Sequence, residues 1–403
     1  MYIPRKIDVT HDVFVELGTN IEDLLNHKGI DAGVYFDIGK ITESLVSQID
    51  QDNHDLSILI ITEHNEVPVE TSSPTILPYY DALRCRLNDM ASRKKIVFIS
   101  GIRNDELDGS PTPNIHRIWL PYTGMLYQHK AYENIDIVRA KNFSSTKHWV
   151  SLNRCYNHHR LIMAMVLLGY DLGLSLDEKK DTGRLHISPA PLNKIKSWKE
   201  YYGTDINVSV HQDNVLSRGF KKFKSGLNGG QPDGPVLGEL FATLPENFDQ
   251  RLRHLYTDTV IEIVNGTTFY NPAGYNYCEK ILNSILGLNL PLFACNVGTV
   301  QGMRLQGFDV FDDVLDHSYD TVSDPIERMF TLVESNLELL RNRDLARRCW
   351  VKCLPRLLKN VEVAREMLPR ATESVLKDLD VYVQKTFNAR ILAEALDDPG
   401  SRV

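Results

Sequence analysis

The chain has 403 residues, 42% hydrophobic and 24% charged, with 53 acidic against 45 basic residues and a formal net charge of −8. That balance, with a pI near 5.9, argues against non-specific nucleic-acid binding, which runs on clustered lysine and arginine. The length exceeds one ordinary core and predicts two domains with an appendage. No apolar run approaches the roughly 20 residues that span a bilayer, and no charged, apolar, small-residue leader opens the chain.

The first segment carries short apolar runs at Val13-Phe14-Val15 and Gly33 to Phe36, and clearer strands at Leu56–Ile61, Ile96–Ile99 and Ile115–Leu120. Each of those three strands stops at polar residues, glycine or proline. Between them Tyr80–Arg93 reads as a helix, with Leu83, Leu87 and Met90 on one face. Strands that are continuous apolar runs are typical of parallel sheets covered on both faces, so residues 1–145 are expected to form a doubly wound, Rossmann-like domain.

A second domain is expected over 146–330. His148 to Leu152 reads as a strand, Asn153 to Asn157 as a turn, and His158 to Tyr170 as a strongly apolar helix. Residues 174–250 have a poorer pattern. They include a glycine-rich stretch, Gly226–Gly238, that does not match a phosphate-cradling P-loop and reads as a connector. Phe220 and Phe223 alternate with Lys221, Lys222 and Lys224, a mixture that suits single-stranded nucleic acid but reads more readily as a solvated loop. Val260–Val264 is a buried strand ending at Asn265-Gly266. Glu279-Lys280 opens an amphipathic helix, Pro291 ends it, and Leu292-Phe293-Ala294 is the next strand. Gly298 turns into a further helix that Gly307 closes. From Pro325 onward, Ile326–Leu340, Ala346–Val361 and Val375–Leu396 read as helices, so residues 331–403 form a helical tail suited to packing on the domains or on a second subunit.

Two constellations could carry chemistry. Arg154, His159 and Arg160 cluster where one helix begins, and cations there oppose the helix macrodipole, a conflict that a bound diphosphate would remove. Thr267 and Thr268 follow a strand, and Glu279 and Lys280 open the next helix. There a carboxylate can accept hydrogen bonds from ribose hydroxyls and a lysine adds charge to a terminus suited to phosphate. Ligands of parallel α/β sheets sit at such carboxyl ends. Six scattered cysteines (Cys85, Cys155, Cys278, Cys295, Cys349 and Cys353) fit a reduced, cytoplasmic protein. Cys349 and Cys353 share a helix face, but no further ligands at matching spacing complete a zinc site, so no metal is expected.

The turn Ser151-Leu152-Asn153-Arg154 with His159-Arg160, the Glu279-Lys280 helix start, and the closing stretch QGFDVFDDVLDHSYDTVSDPIER together resemble a family of viral and bacterial glycosyltransferase-like proteins. Those are similar to the fucosyltransferase type of the GT-B fold. The resemblance covers about residues 147–330. It implies two Rossmann-like α/β domains in a GT-B-like arrangement, a sugar nucleotide as donor substrate and no other cofactor, and metal-independent transfer to a hydroxyl of a glycan, small molecule or modified nucleobase. It further implies ribose binding by Glu279 and diphosphate binding by Lys280, Arg154 and Arg160; Asn153, His159, Thr267 and Thr268 complete the expected sugar-nucleotide site. Two positions depart from the pattern: Gly266 stands where the family has an acidic residue, and Cys278 where it has threonine before Glu-Lys. A proton acceptor for the incoming hydroxyl would come from the first domain, where Glu63 and His64 follow the best strand; Asp105 and Glu106 follow the next. The alternative is a non-catalytic viral interaction or assembly protein on the same scaffold. A nucleic-acid partner is the less favoured acceptor, no membrane partner is expected, and the tail helices suit a homo-oligomer.

Overall fold

A computed structural model of the protein describes residues 12–37, 57–63, 95–100, 115–120, 147–153, 158–172, 184–187, 196–202, 208–228, 256–266, 269 and 277–388. The expected helix at Tyr80–Arg93 and the stretch 229–238 lie outside them. The chain divides into two compact units. Met1–His129, Ala273–Cys278 and Glu366–Val403 form the first; Lys130–Pro272 and Glu279–Arg365 form the second. Among the described residues no helix is long and apolar enough to cross a membrane.

In the first unit, helix α1 (Asp12–His27) precedes four parallel strands, β1 (Ala32–Asp37), β2 (Ile58–Glu63), β3 (Lys95–Ser100) and β4 (Ile115–Trp119). They pair in chain order, β1-β2-β3-β4, with Ala32 opposite Ile58, Ile58 opposite Lys95 and Ile96 opposite Ile115. The run Val13-Phe14-Val15 is helical. Three apolar residues are too few to specify a strand, and the pattern that continues to Ile21 and Leu25, both fully buried one turn apart, has the helical period. Gly29, at φ 71°, ends that helix in the left-handed conformation that a side chain disfavours. The last described helix, Met367–Phe387, returns to this unit and packs on β4. It presents Met367, Ala371, Val375, Leu379 and Val383, all buried at four-residue spacing, while the Tyr382 ring stacks on His116 at 4.2 Å.

The second unit has its own parallel sheet: β5 (Lys147–Asn153), β6 (Arg184–Ile187), β7 (Thr259–Asn265) and β8 (Leu290–Ala294). Here the order is β6-β5-β7-β8, so the chain moves one way from β5 and then crosses back. Every residue of β7 and β8 is buried, as continuous apolar runs require. Pro291, expected to precede the last strand, lies within it opposite Glu262. β8 is at the end of the described order, where proline's missing N–H costs the sheet nothing.

Helix α2 (His158–Gly169) follows β5; α3 (Trp198–Tyr202) and α4 (Val210–Asn228) follow β6. Helices α5 (Glu279–Leu286) and α6 (Thr299–Leu305) follow β7 and β8, and α7 (Pro325–Ser335), α8 (Leu337–Arg341) and α9 (Arg343–Arg365) complete the unit. α2 packs against α4 and α7, and α5 against α9. Right-handed crossovers leaving β5 and β7 in opposite directions send α2 and α5 to opposite faces of the sheet. α2 and α4 touch backbone to backbone. A Cβ on Gly219 would lie 1.9 Å from the Met165 carbonyl oxygen, and one on Gly169 2.4 Å from that of Val215, so only glycine fits at either crossing. α2 is accordingly buried on nearly all sides from His159 to Leu167.

Two expectations are corrected here. The lysine and phenylalanine strip lies in helix α4, and Phe220 and Phe223 are buried on its inner face rather than displayed for stacking on bases. Lys222 pairs with Asp171, and the Lys224 ammonium lies over the Phe220 ring. The expected single helix over Ile326–Leu340 breaks at Asn336, whose side chain accepts from the Asp316 N–H at 3.0 Å and donates to the Asp316 carbonyl at 2.9 Å. Asn360 of α9 grips Asp309 in the same two-point manner, at 2.8 and 2.7 Å. The segment Asp309–Asp316 between these clamps is thereby held without a strand or helix of its own; Arg356 adds a paired contact to the Asp309 carboxylate.

Candidate functional site

The reversal of strand order in the second unit lies between β5 and β7, and the carboxyl ends of two such strands flank the crevice in which parallel α/β sheets take their ligands. β5 ends at Asn153 and β7 at Asn265. The Asn265 amide donates to the Ser151 hydroxyl at 2.7 Å, tying the two strand ends together. Gly266 continues β7 by donating its N–H to the Ala294 carbonyl of β8 at 3.0 Å.

The first turn of α2 reaches across to that point. His159 Nε2 is 2.8 Å from the Gly266 carbonyl oxygen; because a carbonyl only accepts, this nitrogen carries the proton. The His159 ring lies parallel to Phe269, with centroids 5.4 Å apart. Beside it Arg160 is only 3% exposed. Among the described residues its sole hydrogen bond is a long one, 3.4 Å from Nη2 to the same Gly266 oxygen, and Nε has no partner there. No carboxylate among the described residues stands within ion-pair distance of its guanidinium. A buried cation without a counter-charge costs several kcal/mol, roughly the effective penalty per ion once relaxation is allowed. An anion at this place removes that penalty.

Among the described residues α2, α5 and α6 each follow a strand of this sheet, and the start of α6 is closed. The Asp320 carboxylate accepts from Val300 N–H and Gln301 N–H, both at 3.0 Å, and fills the N-terminus of α6. Burial pushes the Asp320 carboxyl above its ordinary value, and the two backbone donors pull it part of the way back. Neighbouring residues of the closing stretch are also committed to the fold. The Tyr319 hydroxyl accepts from Phe293 N–H of β8 at 3.0 Å and contacts His317 Nδ1 at 2.9 Å, and His317 Nε2 binds the Val310 carbonyl at 2.7 Å. Burial holds the His317 imidazole below its usual value. The starts of α2 and α5 are where Arg160 and the pair Glu279-Lys280 stand.

Of the residues singled out from sequence, the structure brings His159 and Arg160 together at Gly266 and sets Asn153 at the end of the adjoining strand. Glu279 and Lys280 form the first turn of α5, and Lys280 is half-buried. Arg154, Thr267 and Thr268 lie outside the described residues. In the first unit Glu63 is the last residue of β2, and His64, Asp105 and Glu106 are outside the described residues. Among the described residues no group of three His, Cys, Asp or Glu side chains is placed to hold a metal ion.

Two residues escaped the sequence reading as individuals. Asp320 is one; Arg328 of α7 is the other. Its Nη2 donates to the Phe269 carbonyl at 2.6 Å and its guanidinium carbon lies 4.4 Å from the Phe269 ring centroid. Both belong to the stretch that carries the resemblance, in Ser-Tyr-Asp and Asp-Pro-x-x-Arg, so the signal was present without a role attached to it. No protein-family profile and no curated protein matches the chain.

Proposed function

We propose that the chain is a glycosyltransferase whose second unit binds the diphosphate of a sugar nucleotide at the β5–β7 reversal. The observation that carries this reading is Arg160: a guanidinium buried at a switch point, beside a helix N-terminus, with one long hydrogen bond and no counter-charge among the described residues. Phosphate oxygens supply both the missing acceptor and the missing charge. Lys280 and the start of α5 add a second cationic end on the strand next to it, suited to offsetting charge on a departing diphosphate. Glu279 is the proposed ribose ligand.

In the transfer, the acceptor hydroxyl oxygen bonds to the anomeric carbon, the bond from that carbon to the diphosphate oxygen breaks, and the hydroxyl proton passes to a base. Glu63 is the proposed base. His159 does not serve through Nε2, whose proton is held by Gly266. A non-catalytic protein on the same scaffold is the second reading, favoured by the fact that His159 Nε2 and the Asp320 carboxylate are both spent on backbone groups.

Calorimetry with UDP, GDP and their sugars tests the proposal. Binding by the wild type, weakened in Arg160→Ala and in Lys280→Ala, is the expected result. No binding of any nucleotide at millimolar concentration, or unchanged affinity in both variants, overturns it. Binding without turnover across an acceptor panel favours the second reading.

A further inference from the structure

After β7, two backbone carbonyls, those of Gly266 and Phe269, are held by side chains of the helices. Gly266 is held from α2, by His159 and Arg160. Phe269 is held from α7: Arg328 donates to its carbonyl and covers its ring, while the ring also lies parallel to His159. Thr267 and Thr268 are, in sequence, the two residues between these fastened points.

Arg328 is built for this task. Asp324 caps α7 by accepting from Glu327 N–H at 2.7 Å, and Pro325 takes the first helical position. Helical side chains lean toward the N-terminus, which turns Arg328, four residues past the cap, back over the start of its own helix. There Nη1 donates to Val322 O at 2.6 Å and Ser323 O at 3.3 Å, leaving Nη2 for Phe269. The side chain is 3% exposed. A lysine has the charge but cannot reach several carbonyls in one plane while lying flat on a ring. An arginine that served only to cap or solubilise α7 would need no contact 59 residues away in sequence.

We infer that Arg328 is a positioning residue: through the Phe269 ring, which lies parallel to His159, it sets the place of the Gly266 carbonyl against which Arg160 is aligned for an anion. Its effect on ligand rests on the sugar-nucleotide reading; the fastening of these carbonyls does not.

Two readouts on the full chain separate them. Hydrogen exchange is followed over residues 266–269 and over β8, and affinity is measured for UDP, GDP and inorganic pyrophosphate. In Arg328→Met exchange over 266–269 rises by about tenfold or more while β8 stays protected, as expected for local opening rather than global unfolding. Affinity falls by about tenfold, Arg328→Lys recovers part of it, and Arg160→Ala with Arg328→Met loses less than the product of the two single losses. Wild type that binds, with Arg328→Met unchanged in both readouts, overturns the positioning role and leaves the nucleotide reading standing. Wild type that binds none of the three probes ends the nucleotide reading; exchange over 266–269 then decides the fastening, and no change there overturns it too. If Arg328→Met does not fold, Arg328→Lys and Phe269→Leu carry the same comparison.

Discussion

The two sheets are built from similar strands, yet they differ in order and in what they bury. In the first unit the strands pair as the chain delivers them, β1-β2-β3-β4. In the second the chain goes from β5 to β6 and then crosses back to β7. Among the described residues, every buried polar or charged side chain belongs to the second unit, from His148 to Asn360. A reversed sheet splits its crossovers between two faces. The gap between them takes polar groups, and the second unit shows two outcomes: Asp320 is bonded to two backbone N–H groups and Arg328 to three carbonyls, whereas Arg160 has one long hydrogen bond among the described residues.

Substitutions at four positions test that contrast, in order of expected effect. Ile96→Ala removes a fully buried side chain from β3 and is expected to cost about 2–5 kcal/mol of stability without changing nucleotide affinity in protein that remains folded. Denaturant unfolding and calorimetry read the two quantities. An affinity change would mean that the first sheet is not a purely apolar scaffold.

Arg160→Met is expected to do the reverse. Charged hydrogen bonds worth about 1.5–3 kcal/mol are lost from the ligand, a fall of roughly ten- to hundredfold in affinity. The melting temperature without ligand holds or rises, because a buried charge lacking its counter-charge has gone. A large drop in melting temperature with unchanged affinity would return Arg160 to the core.

Asp320→Ala uncaps α6 and is expected to lose about 1–2 kcal/mol. The pH dependence gives the sharper reading. Burial raises the folded carboxyl above the ordinary value of 3.8, so the folded state holds this proton more tightly than the unfolded chain. The stability it contributes is full below the unfolded value and is lost as pH rises through the folded one. Asp320→Asn keeps an acceptor for the helix and should abolish that decline above pH 3.8; urea titrations at stepped pH measure it.

Arg356→Met has the smallest effect and the opposite sign. Burial alone would raise the Asp309 carboxyl, but Arg356 and the Phe311 N–H hold it below 3.8. Its contribution is present above that value and is lost as pH falls through the lower, folded one. Both partners are 35% exposed, so solvent screening limits the pair to about 1 kcal/mol or less. The stability gap between wild type and Arg356→Met should therefore narrow below pH 3.8.

Much of the sheet of the second unit could be read along the chain, because β7 and β8 are continuous apolar runs and α2 is apolar on nearly all sides. The starts of α2 and α5 were legible for the same reason: the apolar pattern begins at His158 and at Glu279. Helix α4 was missed although Leu216, Phe220 and Phe223 stand at helical spacing; the interleaved lysines drew the reading to charge instead of period. The break at Asn336 could not be read, since its partner, Asp316, is twenty residues back and nothing local in Ile326–Leu340 calls for it.

Sequence alone therefore determined the parallel α/β elements, the helical tail and the two helix starts where cations gather, because period and termination are local properties of a chain. Tertiary structure alone decided the order of strands, and with it which starts share an edge. It also decided that Asp320 closes α6 while Arg160 is left without a counter-charge, and that Arg328 reaches back to Phe269. Those outcomes depend on which groups meet after tens of residues have been folded between them, and no local pattern encodes such a meeting.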